Sequence, residues 1–322
     1  MPLWLSESDV RAVLAPAELI DAIESALAAL SSGRVVQPVR TALEIGDRCF
    51  LALMPAFDRE HAILGAKLVS VVPPNAARGL PTHLAAISLF DAGTGELAAV
   101  MDGRYITEVR TAAASAVSVR HLARPGASVL AILGSGVQAR SHLAALPLVR
   151  QFAEVRAWSP TADHLRQFIA EAGASVRAAR TAAEAVRGAD VVVVATNSVV
   201  PAIDNSWVSE GAHVIAIGAC RPSQCEIDPA LVARALLVVD SREAAFEESG
   251  DILQPIRQGL FTPDHVRAEL GEIVSGRKPG RRDDAEVTLF KSLGLAIEDL
   301  VAADLAYRRS QQAGLGVTVA LK

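Results

Sequence analysis

Cysteine is scarce in this 322-residue chain, which has only Cys49, Cys220 and Cys225. So sparse and odd a set argues against a disulfide framework. Long apolar runs are also missing. The most apolar stretches, VLAILG and VVVVAT, are far too short to span a bilayer. The opening MPLWLSESDVRAVL has no basic leader before an apolar run, and Glu7, Asp9 and Arg11 interrupt it. A secretory signal is not expected, and cytoplasm is the expected location. No concentrated basic stripe stands out against the net charge of -5, so neither nucleic acid nor membrane is an expected partner. HExxH and paired CxxC are both lacking, and the 7 histidines are scattered, so no metal centre is expected.

What is present is material for a core. Hydrophobic residues make up 51% and charged residues 21%, enough for one large domain or two ordinary ones. Ser6 to Leu14 reads as a short capped helix, and Pro16 as the first turn of a second that runs to about Ser31. Candidate strands follow in VVQPVRTALEI, RCFLALMPAF, ILGAKLVSVV and THLAAISLFD, the last turning at Asp91 to Gly95 into another strand. Such close spacing predicts an antiparallel or mixed sheet. An alanine-rich helix is expected from Thr107 to Leu122. Beyond Pro125 and Gly126 six short apolar strands appear, several of them separated by helices: ASVLAILG, EVRAWS, ASVRAA, ADVVVVAT, HVIAIGA and ALLVVDS. That rhythm predicts a doubly wound parallel sheet, hence an α/β fold. Glu247 to Asp284 reads as a solvated loop, and Val287 to Tyr307 as a helical tail.

The sharpest local motif is ILGSGVQARSH, which places Gly134, Gly136 and Ala139 in a G-x-G-x-x-A pattern between strand and helix. Gly134 allows the tight turn, Gly136 the close approach of a pyrophosphate, and Ala139 the packing of helix on sheet. Ser135, Val137 and Gln138 complete the loop, and Thr196 and Gly218 end later strands of the expected dinucleotide site. An NAD-selective site usually carries an acid at the end of the second strand, but the sequence there is AWSPTADHLR. Ser159 and Thr161 are expected to bond a ribose phosphate, with His164 or Arg166 nearby. NADPH is therefore favoured over NADH, although Asp163 stands a few residues into the next helix.

Several further stretches carry a second signal: MPAF, GAKLVSVVPPN, GLPTHLAAISLFDAGTGELAAVMDG, RYITEVRTAAASAV, VIAIGACRPSQCEIDPALVARALLVVDS and VTLFKSLGLAIEDLVAADLAY. Together they resemble the ornithine cyclodeaminase and mu-crystallin family over nearly the whole chain. The resemblance implies a Rossmann domain over 119–299. It also implies an α+β substrate-binding and dimerisation domain made of 1–118 and 300–322, and a homodimer.

It further implies that Arg40, Lys67 and Arg110 hold a substrate carboxylate. The chemistry asks for such cations, because they orient the carbon that receives hydride. Lys67 stands inside an apolar strand of a chain that uses lysine rarely, and a proton-relay role is open to it. Thr111 is expected at the cofactor, and Met54 and Pro55 at the pocket wall. His83 is either a substrate contact or a packed side chain. Lys291 is either close to the nicotinamide or structural.

The family's cyclodeaminases carry an aspartate where this chain has Cys220, in GACRPSQCE, and Asp228 further on does not inherit its role. A thiol replaces such a carboxylate poorly, which argues against cyclodeaminase chemistry. Arg221 is expected to shape the substrate side. The expected reaction is NAD(P)H-dependent reduction of pyrroline-2-carboxylate or piperideine-2-carboxylate to a cyclic amino acid. The rivals are ornithine cyclodeamination, amino-acid dehydrogenation, N-alkyl amino acid synthesis and non-catalytic ligand binding.

Overall fold

The computed structural model describes residues 1–320. The chain divides into two compact units, Met1–Arg110 with the segment from Leu295, and Thr111–Gly294. The first contains β1 (Leu3–Leu5), α1 (Glu7–Val13), α2 (Pro16–Ser31), β2 (Val35–Val36), β3 (Thr41–Gly46), β4 (Cys49–Asp58), β5 (Ile63–Val71), β6 (His83–Asp91) and β7 (Leu97–Asp102). The helix α3 (Arg104–Leu122) carries the chain into the second unit. There follow β8 (Val129–Leu133), α4 (Val137–Ala145), β9 (Glu154–Trp158), α5 (Ala162–Ala172), β10 (Arg177–Ala178), α6 (Ala182–Val186), β11 (Val191–Val194) and β12 (His213–Ala216). Next come α7 (Pro229–Arg234), β13 (Leu236–Val239), α8 (Arg242–Glu248), α9 (Gly250–Arg257), β14 (Val266–Glu269), α10 (Leu270–Val274) and β15 (Thr288–Lys291). The chain returns to the first unit with α11 (Ala296–Ala313) and β16 (Val317–Thr318).

The first unit is a mixed sheet in the order β16-β1-β7-β6-β5-β4-β2, with β3 also on β4. Only the β1–β7 pairing is parallel among those described. Register sets one buried row across it: Leu5, Met101, Ile87, Lys67 and Met54 stand side by side, none more than 3% exposed. The helix α11 lies over β4, β5 and β6. Alternation turns other residues of these strands outward. Leu51, Leu53, Leu68 and Leu84 are exposed, as are Leu43 and Ile45 on β3.

The second unit is an all-parallel sheet in the order β10-β9-β8-β11-β12-β15-β13-β14. The order reverses between β8 and β11, which is where a Rossmann sheet opens its ligand crevice. Val191–Val194 are all buried, which is why that strand is an unbroken valine run rather than an alternating one.

The structure corrects several expectations. VVQPVRTALEI is two strands, because Pro38 falls in the irregular stretch between β2 and β3. Glu247 to Asp284 is not one solvated loop: it holds α9, β14 and α10, and β14 pairs with β13. The stretch from Val287 begins as β15, buried between β12 and β13, and turns helical only at Ala296. A four-residue strand buried on both faces has no alternation to distinguish it from a helix. The unit boundaries fall at 110/111 and 294/295 rather than 118/119 and 299/300, so one lies within α3, where the sequence pattern has no break. Among the described residues no helix is long and apolar enough to cross a membrane.

Candidate active site

Lys67 is held in a dry place. The register that faces it with Met54 and Ile87 leaves its side chain enclosed, and its ammonium donates to the Asp299 carboxylate. Thr107 Oγ1 lies 3.5 Å from Nζ. Burial, opposed by Asp299 and reinforced by Arg110 and Arg40, pulls its pKa down to about 8. Arg110, from α3, donates through Nε to Asp299 Oδ1 at 3.0 Å and through Nη1 to Glu298 Oε2 at 2.8 Å. Asp299 therefore joins both cations. Burial would raise its carboxyl, but Arg110 and Lys67 hold it below the ordinary value.

Arg40 is half-buried just before β3, and its charge is felt at Lys67. His83 opens β6 on the Lys67 face. Burial, with Lys67 and Arg110 nearby, lowers it to about 4, so it is neutral near pH 7. Met54, Lys67 and Arg110 are thus brought together in the first unit, with Arg40 close enough to act on Lys67. Glu298 and Asp299, which join these cations, do not stand out in the sequence. Their signal was faint: two acids in a helix whose neighbours, Leu295 to Ala303, are buried all round.

In the second unit the phosphate loop leaves β8. Gly134 has φ +122°, and a Cβ there would stand 2.5 Å from the carbonyl oxygen of Ala195, so only glycine fits. Gly136 is the N-cap of α4 and offers no side-chain cap, and nothing crowds its Cα. Ala139 is fully buried. Arg140 donates to the Ser135 carbonyl at 2.6 Å, and Ser135 Oγ donates to Ser159 Oγ at 2.9 Å. This uncapped helix start with a glycine-only turn suits a pyrophosphate. Val137 is exposed and Gln138 half-buried in the first turn of α4, and Thr161 caps α5 without a side-chain bond. Thr111 is nearly buried in α3.

Thr196 and Gly218 meet at a buried carboxylate the sequence did not disclose. Glu226 accepts from Gly218 N at 2.7 Å and Ala219 N at 2.9 Å, and from Thr196 Oγ1 at 3.1 Å. A Cβ at Gly218 would overlap the Thr196 carbonyl. Lys291 lies 3.4 Å from Glu226 and 2.9 Å from Asp251, fully enclosed. Burial would lower its ammonium, but Asp251 and Glu226 hold it above the usual lysine value. Its surroundings are those of a structural ion cluster. The cluster fixes the turn that carries Cys220 and Arg221, both half-buried. The Cys220 N–H donates to Gln224 Oε1 at 3.0 Å. Among the described residues no group of acids, histidines and cysteines is arranged to hold a metal ion.

Residues 2–314 match the ornithine cyclodeaminase/mu-crystallin family. The ketimine reductase mu-crystallin of Rattus norvegicus is 43% identical over 95% of this chain and 96% of its own. The structure of Thermococcus litoralis Delta(1)-pyrroline-2-carboxylate reductase with NADH and L-proline superposes with TM-score 0.96 at 37% identity, covering 98% of this chain and 100% of the other. An archaeal alanine dehydrogenase dimer with bound NAD gives 0.94 at 34%, covering 100% and 99%. The iminosuccinate reductase of Paracoccus denitrificans with NAD+ gives 0.91 at 32%, covering 99% of both. These cofactors overturn the preference for NADPH. The local chemistry agrees: Arg166, one of the cations available to a 2′-phosphate, is paired with Asp163 on α5.

Proposed function

The chain belongs to the ornithine cyclodeaminase/mu-crystallin family, and from that premise we propose that it is an NADH-dependent ketimine reductase. It reduces pyrroline-2-carboxylate or piperideine-2-carboxylate to the cyclic amino acid. The observation that carries this reading is the joint anchoring of Lys67 and Arg110 on Asp299, in a chain whose other unit has a glycine-only phosphate turn. Lys67, Arg110 and Arg40 bind the substrate carboxylate and so fix the position of the adjacent C=N carbon. Arg110 contributes a planar fork and Lys67 a point charge. Met54 and Ile87 keep water from the Lys67 ammonium, which strengthens its pull on a carboxylate. The backbone of residues 134–139 would hold the pyrophosphate, with Thr196 and Gly218 at neighbouring strand ends. When bound, NADH supplies the hydride.

The protein works as a homodimer in the cytoplasm. The outward leucines of β4, β5 and β6, and a β3 exposed on both faces, are the surface a second copy would cover. The three free thiols suit a reducing compartment. The test follows the reduced-nicotinamide absorbance with NADH and each cyclic imine in the absence of ammonia. Rapid loss with at least one imine is expected. Oxidation only when ammonia or an amine is added would replace the reading by an amino-acid dehydrogenase, and none at all would sink it.

A further inference from the structure

Two cations that grip a carboxylate from different elements, α3 and β5, need a common reference to keep their heads at a fixed spacing. The structure has one. Asp299, in the first turn of α11, spends one oxygen on Lys67 and the other on Arg110. Glu298, next to it, takes a second nitrogen of Arg110 and also accepts from the Leu295 N–H at 3.3 Å, which ties the acid pair to the start of the helix. All four side chains are at least nine-tenths buried.

We propose that Asp299 is a positioning residue that acts through Lys67 and Arg110, setting where both cationic heads point and keeping the Lys67 head charged. This rests on the reading of the site as a carboxylate grip.

The electrostatic logic is direct. Lys67 sits in an apolar row, and a lone ammonium there loses hydration it cannot replace. The charged groups acting on it are Asp299 on α11, Arg110 on α3 and Arg40 before β3; neutral His83 faces it from β6, and Glu298 pairs with Arg110. Of these Asp299 alone favours the charged amine, while both arginines oppose it. Asp299→Asn removes that support and leaves the rest. Asp299→Glu keeps the charge but moves the carboxylate by one methylene.

The experiment reads the Lys67 titration directly. The chain has only four lysines, so isotope-labelled lysine Cε gives a sparse spectrum. In the whole protein Lys67 is expected to titrate near pH 8. In D299N it moves to lower pH by about one unit or more. The alkaline limb of kcat/KM moves with it, and KM for the imino acid rises about tenfold or more while kcat changes less. D299E returns the titration close to the parent's but keeps a raised KM. If D299N does not fold, D299E against the parent chain still decides.

An unmoved Lys67 resonance in D299N overturns the proposal, as does a D299E titration displaced from the parent's by about one unit or more, or a D299E KM equal to the parent's. A parent chain that turns over no imine defeats the ketimine reading instead, and the resonance of Lys67 still tests the role of Asp299.

Discussion

A single methyl group at Gly134 is expected to separate cofactor binding from the rest of the molecule. The residue's φ of +122° and the Ala195 carbonyl beside it leave no room for a side chain. Backbone strain of this kind costs about 1–3 kcal/mol. The turn opens the expected pyrophosphate site, so Gly134→Ala should weaken NADH by at least about tenfold in a fluorescence titration. Affinity equal to the parent's would mean that the loop does not hold the phosphates. Lys67 shows the opposite use of one residue. Its environment is not a steric exclusion but a balance, in which burial and two arginines are offset by one carboxylate.

Between elements, α3 and α4 are joined to the parallel sheet by buried polar side chains. His142 Nδ1 lies 2.7 Å from the Gln138 carbonyl, which assigns that nitrogen as the donor. Its Nε2 lies 2.8 Å from Ser115 Oγ. Ser118 Oγ donates to the Ser115 carbonyl and lies 3.0 Å from His213 Nε2, while His213 Nδ1 lies 2.8 Å from Thr288 Oγ1. Burial lowers His142 to about 4 and His213 to about 3. Both folded values lie below the ordinary one near 6.5, so the unfolded chain takes up protons first as pH falls. Their contribution is therefore complete above about pH 6.5 and is lost progressively toward about pH 4 for His142 and about pH 3 for His213. The melting temperature should drop between about pH 7 and about pH 5.5, and H142N/H213Q should flatten that slope. A double variant with the parent's slope would assign the acid sensitivity elsewhere.

The same scale shows what was legible in the sequence. The Rossmann strands from β8 to β13, the phosphate turn and the α2 helix all announce themselves, because period and punctuation are local. One interior strand of the parallel sheet did not. TLFK, the β15 strand, looks like the start of a helix until β12 and β13 are in place on either side. At the site, Lys67 and Arg110 stood out through motif and resemblance. Asp299 did not, for its importance comes from being 232 residues from Lys67 in sequence and in contact with it. Glu226 and Asp251 were hidden for the same reason, since Lys291 brings them together only in the folded unit.

At the scale of the whole molecule, the outward face of the mixed sheet is the feature a solution measurement reaches first. Leu43 faces Leu51 across the β3–β4 pair, and Leu53 faces Leu68 across β4–β5. L53E/L68E places two charges in the centre of that face, each opposite the other, and should convert a dimer to a monomer by light scattering. A variant still dimeric at low concentration would mean that another surface joins the copies.

The same face bears on how long the protein lasts in a cell. In the proposed dimer, a newly made chain that has not met its partner would display leucines and an uncovered strand, the features by which chaperones and proteases distinguish unfinished proteins. Pairing through this face would hide them at a rate that rises with the square of the concentration of unpaired chains. Abundance should then climb more steeply than synthesis at low expression, and a weakly expressed copy should be cleared faster than its intrinsic stability suggests.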